Sequence, residues 1–320
     1  MSETQNKNQA SASASEQAVP SRTLGLSFMC LAIVFVAVWM QMQAGSQDAA
    51  AGSAESTTDA GLSAETWYLP DEPLLGFVNI PAGVFTMGSN PTLDRMAYEN
   101  ERWSSTRRQG SVALDAFYIG RFEVAVAQYR LFARQNLEFT NAVPENAPGN
   151  LPITNITWPE ALAYARWLER EMRESSETPA ELKNFLESGG RLSLPSEAEW
   201  EKAARGDDGR IFPWGNTPST EFANYGSNAP LPIGSKPCNQ CAHNLQDISG
   251  NVWELTRSPL EPYPFDPKDD AANLSQDALW VMRGGSFADG IANVRAAVRG
   301  GVDPSVRNNG IGFRLVISRP

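Results

Sequence analysis

Cys238, Cys241 and His243 fall within the short stretch PCNQCAH. Two thiols and an imidazole at that spacing admit three chemistries. The thiols can close a disulfide across a short loop, which an oxidising compartment favours. They can act as a redox dithiol, although no helix begins here to lower a thiol pKa. With His243 they can hold a soft metal, with three ligands where a structural zinc takes four. His243 is the only histidine in the chain. It sits in a turn-rich stretch without a nucleophile elbow, so a Ser-His-Asp hydrolase is not expected.

Charge narrows the partners. A net charge of -11 and a pI near 4.8 disfavour a polyanion, and nucleic acid is not an expected partner. The chain contains one uncharged apolar run, residues 24–40, of about 17 residues, near the lower limit for a membrane helix. Lys7 and Arg22 precede it and no Lys or Arg follows until Arg95, which places the N-terminus in the cytoplasm. The run ends in MQMQAGS, with large residues where signal-peptide cleavage needs small ones. We therefore expect a cytoplasmic tail at 1–23, an uncleaved anchor at 24–42 in the inner (cytoplasmic) membrane, a flexible linker at 43–70 and an exported domain at 71–320, periplasmic or extracellular. The linker is rich in Ala, Ser, Gly and acidic residues and offers too little apolar surface to offset the entropy of ordering.

The elements that must position any site are short. A helix is predicted over 158–172, where apolar residues recur at helical spacing and Thr157 with Glu160 forms a capping box. A second follows LPSE, capped by Ser196 and Glu199 and stopped by Gly206, and a third spans 124–135. Strands are expected at 76–80, 84–87, 117–119, 281–283, 292–298 and 312–316. Several connections exceed the usual loop length, which predicts loops pinned by ions or dense hydrogen bonding. The pattern is that of an irregular α+β domain.

The segments FVNIPAGVFTMGSN, FYIGRFEVAVAQY, LPITNITWPEALAYARWL, RLSLPSEAEWEKAARG, FPWGN, DISGNVWEL, RGGSF and NNGIGFRLV, in that order, resemble the sulfatase-modifying factor family, whose fold is that of the formylglycine-generating enzyme. The resemblance covers about residues 75–318. It implies an irregular α+β fold related to C-type lectins, preceded here by one transmembrane helix.

What it implies for chemistry depends on the site residues. In the formylglycine-generating oxidases two cysteines after RGGS bind Cu(I). Here the stretch RGGSFADGIANVRAAVRGG contains no cysteine and Asp289 stands about where the first would be. A carboxylate is a poor ligand for a soft monovalent ion, so copper is not an expected cofactor. Candidate residues for any remaining catalysis are Arg283, Ser286 and Asp289, and Trp253 with Ser286 matches the ligand groove. DISGNVWE resembles a calcium site formed by Asp247, Gly250, Val252 and Glu254, and calcium suits such mixed side-chain and carbonyl oxygens. A second calcium site would use Asn224 and the carbonyl of Tyr225, but Gly234 aligns with its acidic ligand. The resemblance points to a membrane-anchored, non-catalytic, calcium-stabilised scaffold that binds an envelope protein or peptide. The alternative is an oxidative maturation enzyme working without the copper-binding cysteines.

Overall fold

A computed structural model describes residues 61–143, 146–271 and 278–319. The predicted tail, the anchor at 24–42 and most of the linker lie outside the described residues. Among those described, no helix is long and apolar enough to cross a membrane.

The order of elements is β1 (Leu62–Ser63), β2 (Leu69–Pro70), β3 (Phe77–Ile80), β4 (Gly83–Met87), β5 (Gly110–Leu114), β6 (Phe117–Gly120), α1 (Val126–Gln135), α2 (Trp158–Glu174), α3 (Ala180–Glu187), β7 (Arg191–Ser193), α4 (Glu197–Arg205), β8 (Trp253–Pro259), α5 (Pro267–Ala271), β9 (Trp280–Arg283), β10 (Arg299–Val302), β11 (Ile311–Gly312) and β12 (Val316–Ser318). One four-stranded sheet runs β3-β6-β12-β7 and a second runs β10-β9-β8-β11, while β1-β2 and β4-β5 form two-stranded ribbons. All pairs are antiparallel except β11 with β8. Mixed short helices and strands make this an α+β domain.

The two strongest helix signals are local and both caps form. Thr157 accepts the Glu160 amide at 3.4 Å while Glu160 accepts the Thr157 amide at 2.7 Å. Ser196 and Glu199 exchange the same pair of bonds at 3.0 and 2.7 Å. Gly206 ends α4 with φ 65°, a conformation that favours glycine. Helix α2 buries Trp158, Tyr164, Trp167 and Leu168 in the main core, against Phe132 of α1 and Phe313.

Two expectations change. Residues 62–70 belong to the domain rather than to a linker, because Trp67 and Leu69 are buried in the main core. The strand expected at 292–298 is a 3-10 turn at Ile291–Asn293 followed by irregular chain. Its apolar alternation is interrupted by Arg295, whose guanidinium is drawn inward to Asp94 at 2.6 Å and Glu101 at 2.6 and 2.9 Å. Strands β5, β7 and β8 lacked a local signal, since their pairing partners lie elsewhere in the chain.

The long connections are pinned by buried arginines. Arg295 holds the 89–109 loop. Arg299 donates to Glu197 at 2.6 and 2.9 Å, and Arg314 donates to Glu254 at 2.6 Å through both Nε and Nη2. Ser258 donates to Asp270 and accepts from the Glu197 amide at 2.8 Å. Burial pushes the Asp270 carboxyl up to about 7, against the pull of Ser258 and Arg257. A carboxyl raised in the folded state stabilises the fold fully below its unfolded pKa, and that stability is lost as pH rises towards the folded value. Wild-type stability is therefore expected to fall between about pH 4 and pH 7 through this group, by on the order of a few kcal/mol. Asp270→Asn should remove that slope and be the more stable protein at pH 8, as read from urea midpoints across pH. An unchanged slope would assign it to other groups.

Candidate functional site

Strand β9 ends at Arg283, and the chain then turns through Gly284 and Gly285, at φ 93° and 74°. A Cβ on Gly285 would stand 2.5 Å from the Asn293 carbonyl oxygen, so the turn closes only around glycine. It delivers Ser286 and Asp289 beside Trp253, the first residue of β8. Asp289 Oδ2 accepts from Trp253 Nε1 at 2.9 Å, from the Ser286 amide at 2.9 Å and from the Ser286 hydroxyl at 2.7 Å. Its Oδ1 accepts from Asn293 Nδ2 at 2.7 Å. Burial pushes the Asp289 carboxyl up, but the bonds from Ser286, Asn293 and Trp253 outweigh it and hold the group below the usual carboxylate range.

Three sequence candidates thus meet in one hydrogen-bonded unit. Asn293 joins it, and Tyr98 donates to Asn293 Oδ1 at 2.9 Å across 195 positions of sequence. No local signal announced Tyr98; it arrives on the loop held by Arg295. Ser286 is buried, Trp253, Asp289 and Asn293 are half-buried, and Tyr98 is 44% exposed. Met282 lies on the Trp253 side of the sheet, where a Cβ on Gly300 would meet both side chains.

Arg283 is not part of this group. It is fully buried and donates to Glu197 at 3.0 Å, to Glu201, and to the carbonyls of Ala296 and Ala297 at 2.9 and 3.1 Å. The alternation of β9 turns it away from Met282 and towards α4. The structure places this sequence candidate in a core ion pair.

The expected calcium loop is tightly built. Asp247, Gly250 and Asn251 have φ of 54°, 76° and 59°. A Cβ on Gly250 would stand 2.3 Å from the Asn224 carbonyl oxygen. Asp247 Oδ2 accepts from the Gly234 amide at 2.6 Å, and burial pushes its carboxyl up to about 6. Glu254 Oε2 is filled by Arg314 and Trp200 Nε1, whereas Oε1 accepts from Arg314 alone. Glu123, which sequence reasoning missed, accepts from the Val252 amide at 3.1 Å and from Asn251 Nδ2 at 2.6 Å. Burial, then Asp247 and Glu254, push its carboxyl well up. Three buried carboxylates therefore face one arginine. Among the described residues no three His, Cys, Asp or Glu side chains converge as a metal cluster; the expected ligand set has only two carboxylates and completes itself with carbonyls.

For the second calcium site the geometry is less accommodating. Asn224 Oδ1 accepts from the Ser227 hydroxyl at 2.7 Å, and its Nδ2 donates to Ala229 and Asn251. This side chain ties the 224–231 loop to the 247–252 loop, and Gly234 supplies an amide to Asp247 instead of an acid. Asn224 and Tyr225 are thus placed in loop architecture.

Cys238 and Cys241 are joined in a disulfide. Each sulfur is bound to the other, so the soft-metal set is left with His243 alone. His243 sits at φ 56° with Nε2 buried and without a hydrogen-bond partner. Burial lowers its pKa, which favours the neutral imidazole.

The model of the sulfatase-modifying factor enzyme 1-like domain matches residues 68–319. The chain belongs to this family. The hercynine oxygenase of Mycolicibacterium smegmatis is 30% identical over 284 residues, which cover 74% of this chain and 60% of that protein. The inactive C-alpha-formylglycine-generating enzyme 2 of Mus musculus is 32% identical over 187 residues, 52% of this chain and 49% of that one. The chain therefore spans about half to 60% of these relatives' lengths. Among solved structures, PvdO from Pseudomonas aeruginosa aligns with a TM-score of 0.60 at 24% identity, covering 76% of this chain and 94% of PvdO. That likeness supports the sulfatase-modifying factor fold.

Proposed function

We propose that this chain is a non-catalytic member of the sulfatase-modifying factor family, a calcium-stabilised scaffold that binds an envelope protein or peptide through the Trp253–Ser286–Asp289 groove. A helix at 24–42 would anchor it in the cytoplasmic membrane with the domain outside, and the linker would give it reach. A lectin-related fold suits display of a binding face. Asp289 carries this reading. Where the oxidases place a copper-binding thiol, this chain has a carboxylate held by four hydrogen bonds, and such an oxygen is a poor partner for Cu(I). A mouse relative named inactive supports a non-catalytic role.

Charge supports calcium. Both Glu123 oxygens accept from groups that can only donate to them, because Asn251 Oδ1 is already engaged by Asn224 Nδ2 and the Leu231 amide. Burial and the neighbouring carboxyls push Glu123 well up and Asp247 up to about 6; when these groups are ionised together with Glu254, their negative charge exceeds the single positive charge of Arg314. A divalent cation held by Asp247, Glu254 and the carbonyls of Gly250 and Val252 would neutralise that excess.

The second reading, an oxidative maturation enzyme without the copper-binding cysteines, draws on relatives named hercynine oxygenase. Elemental mass spectrometry of the protein, after dialysis against calcium, iron and copper together, separates the two. We expect about one equivalent of calcium, as for a single such site. Stoichiometric iron or copper, lost on replacing Asp289, would favour the enzyme.

A further inference from the structure

Cys238 and Cys241 stand at the far end of a loop whose base is the first expected calcium ligand. The chain leaves Gly234, passes through the disulfide and returns to Asp247. There the Gly234 amide donates to Asp247 Oδ2 at 2.6 Å, across 13 positions of sequence. Both ends of that bond are closely fitted. Gly234 has φ 74°, and a Cβ on it would stand 2.9 Å from the Phe122 ring. Asp247 is buried and has φ 54°.

The two flanks of the loop are held differently. On the return from Cys241, the Asn244 and Leu245 amides donate to the Cys241 and Ala242 carbonyls at 3.1 and 3.3 Å, and the Gln246 amide donates to the Arg121 carbonyl at 3.0 Å. This flank carries His243 and Asn244 at φ 56° and 59°, left-handed conformations that persist only where the surroundings impose them. The outgoing flank is looser. The Ser235 amide donates to the Pro232 carbonyl at 3.1 Å and Lys236 Nζ to the Thr220 carbonyl at 2.9 Å. Among the described residues the amides of Lys236 and Cys238 have no backbone partner, and Pro237 has no N–H to offer. Beyond a 3.2 Å bond from the Cys241 amide to the Cys238 carbonyl, the disulfide is what fixes the end of this flank.

We propose that the Cys238–Cys241 pair is a redox-dependent clamp on the calcium site: the disulfide holds Gly234 against Asp247 and keeps that carboxylate in place, and reduction releases the 234–238 flank and weakens calcium binding. The inference rests on the reading of Asp247, Gly250, Val252 and Glu254 as a calcium site. Reduction breaks the Sγ–Sγ bond. Two electrons and two protons from a dithiol donor leave two thiols here and close a disulfide in the donor, and oxidation reverses the exchange. A ligand already in place binds more tightly than one that must be ordered on binding. An oxidising compartment favours the closed form, so the site is completed after export. Linkage makes the effect reciprocal, because calcium must bias the pair towards the disulfide by the same factor that the disulfide adds to calcium affinity.

The test uses the full chain in detergent micelles, with Cys30→Ser so that the pair supplies the only thiols. Isothermal titration calorimetry compares calcium binding by the oxidised protein with that of protein reduced by a phosphine. The reduced form is expected to bind about tenfold more weakly, and Cys238→Ser combined with Cys241→Ser should match it. If the serine protein fails to fold, the unsubstituted pair supplies a second measurement. In a dithiothreitol redox buffer, saturating calcium should move the ratio of disulfide to dithiol about tenfold towards the disulfide, relative to excess EGTA. Equal calcium affinity of the oxidised and reduced proteins would overturn the inference and leave the calcium reading standing. So would a redox ratio that calcium leaves unmoved in protein that binds it. If neither form binds calcium, both fall.

Discussion

Replacing Arg283 with methionine should cost about 3–5 kcal/mol of stability, because removal of one partner leaves a buried charge uncompensated. The guanidinium is completely buried and is shared between Glu197 and Glu201 on α4. It also holds the carbonyls of Ala296 and Ala297, where the chain between the 3-10 turn and β10 makes no ladder of its own. Without it, Glu201 keeps Arg205 at 3.5 Å and Glu197 keeps Arg299, but both lose their central cation. Urea denaturation at pH 7.5 reads the effect as a lower midpoint with little change in slope. Arg283→Lys should recover only part of the loss, since an ammonium lacks the planar fork that serves two carboxylates and two carbonyls. Unchanged stability, with loss confined to ligand binding, would contradict the structural role.

Calcium should have an effect of similar size. A site with a Kd of about 1 µM adds about 4 kcal/mol in 1 mM calcium, on the order of 10 °C in Tm for a domain of this size. The measurement is thermal unfolding at pH 7.5 in calcium against excess EGTA. In the metal-free protein Asp247, with its carboxyl pushed up to about 6 by burial, stabilises the fold below about pH 4 and ceases to do so as pH rises through about 6. Calcium, which binds the ionised form, should reverse that trend. Asp247→Asn should abolish the calcium-induced shift and yet be more stable than wild type in EGTA, because it removes part of the buried negative excess while still accepting the Gly234 amide. That opposite pair of signs separates ligation from simple packing, where both conditions would be worse. Equal Tm values for wild type in calcium and EGTA would sink the calcium reading.

Much of the framework was legible in local sequence. The capping boxes at Thr157 and Ser196 and the stop at Gly206 depend on residues within a few positions of one another, so spacing alone carries them. RGGSF and DISGNVWE located the two loops that the tertiary structure brings into contact, where the Gly250 amide donates to the Gly284 carbonyl and the Phe287 amide to that of Asn251, both at 2.8 Å. Helix α3 went unread, being short and lacking a side-chain cap at Pro179. The run at 292–298 was misread because an alternation of apolar residues cannot reveal that its arginine has acidic partners about 200 positions away.

The sequence by itself determined the family, the absence of the copper-binding thiols after RGGS and the acidic character of the chain, since these follow from residue identity and order. Only the tertiary structure decided which candidates share a site. It joined Trp253, Ser286 and Asp289 to Asn293 and Tyr98, withdrew Arg283 into the core, and placed Glu123 beneath the 247–252 loop. The reason is physical: hydrogen bonds and buried ion pairs act over about 3 Å in space, and in a loop-rich fold residues that close are often far apart along the chain.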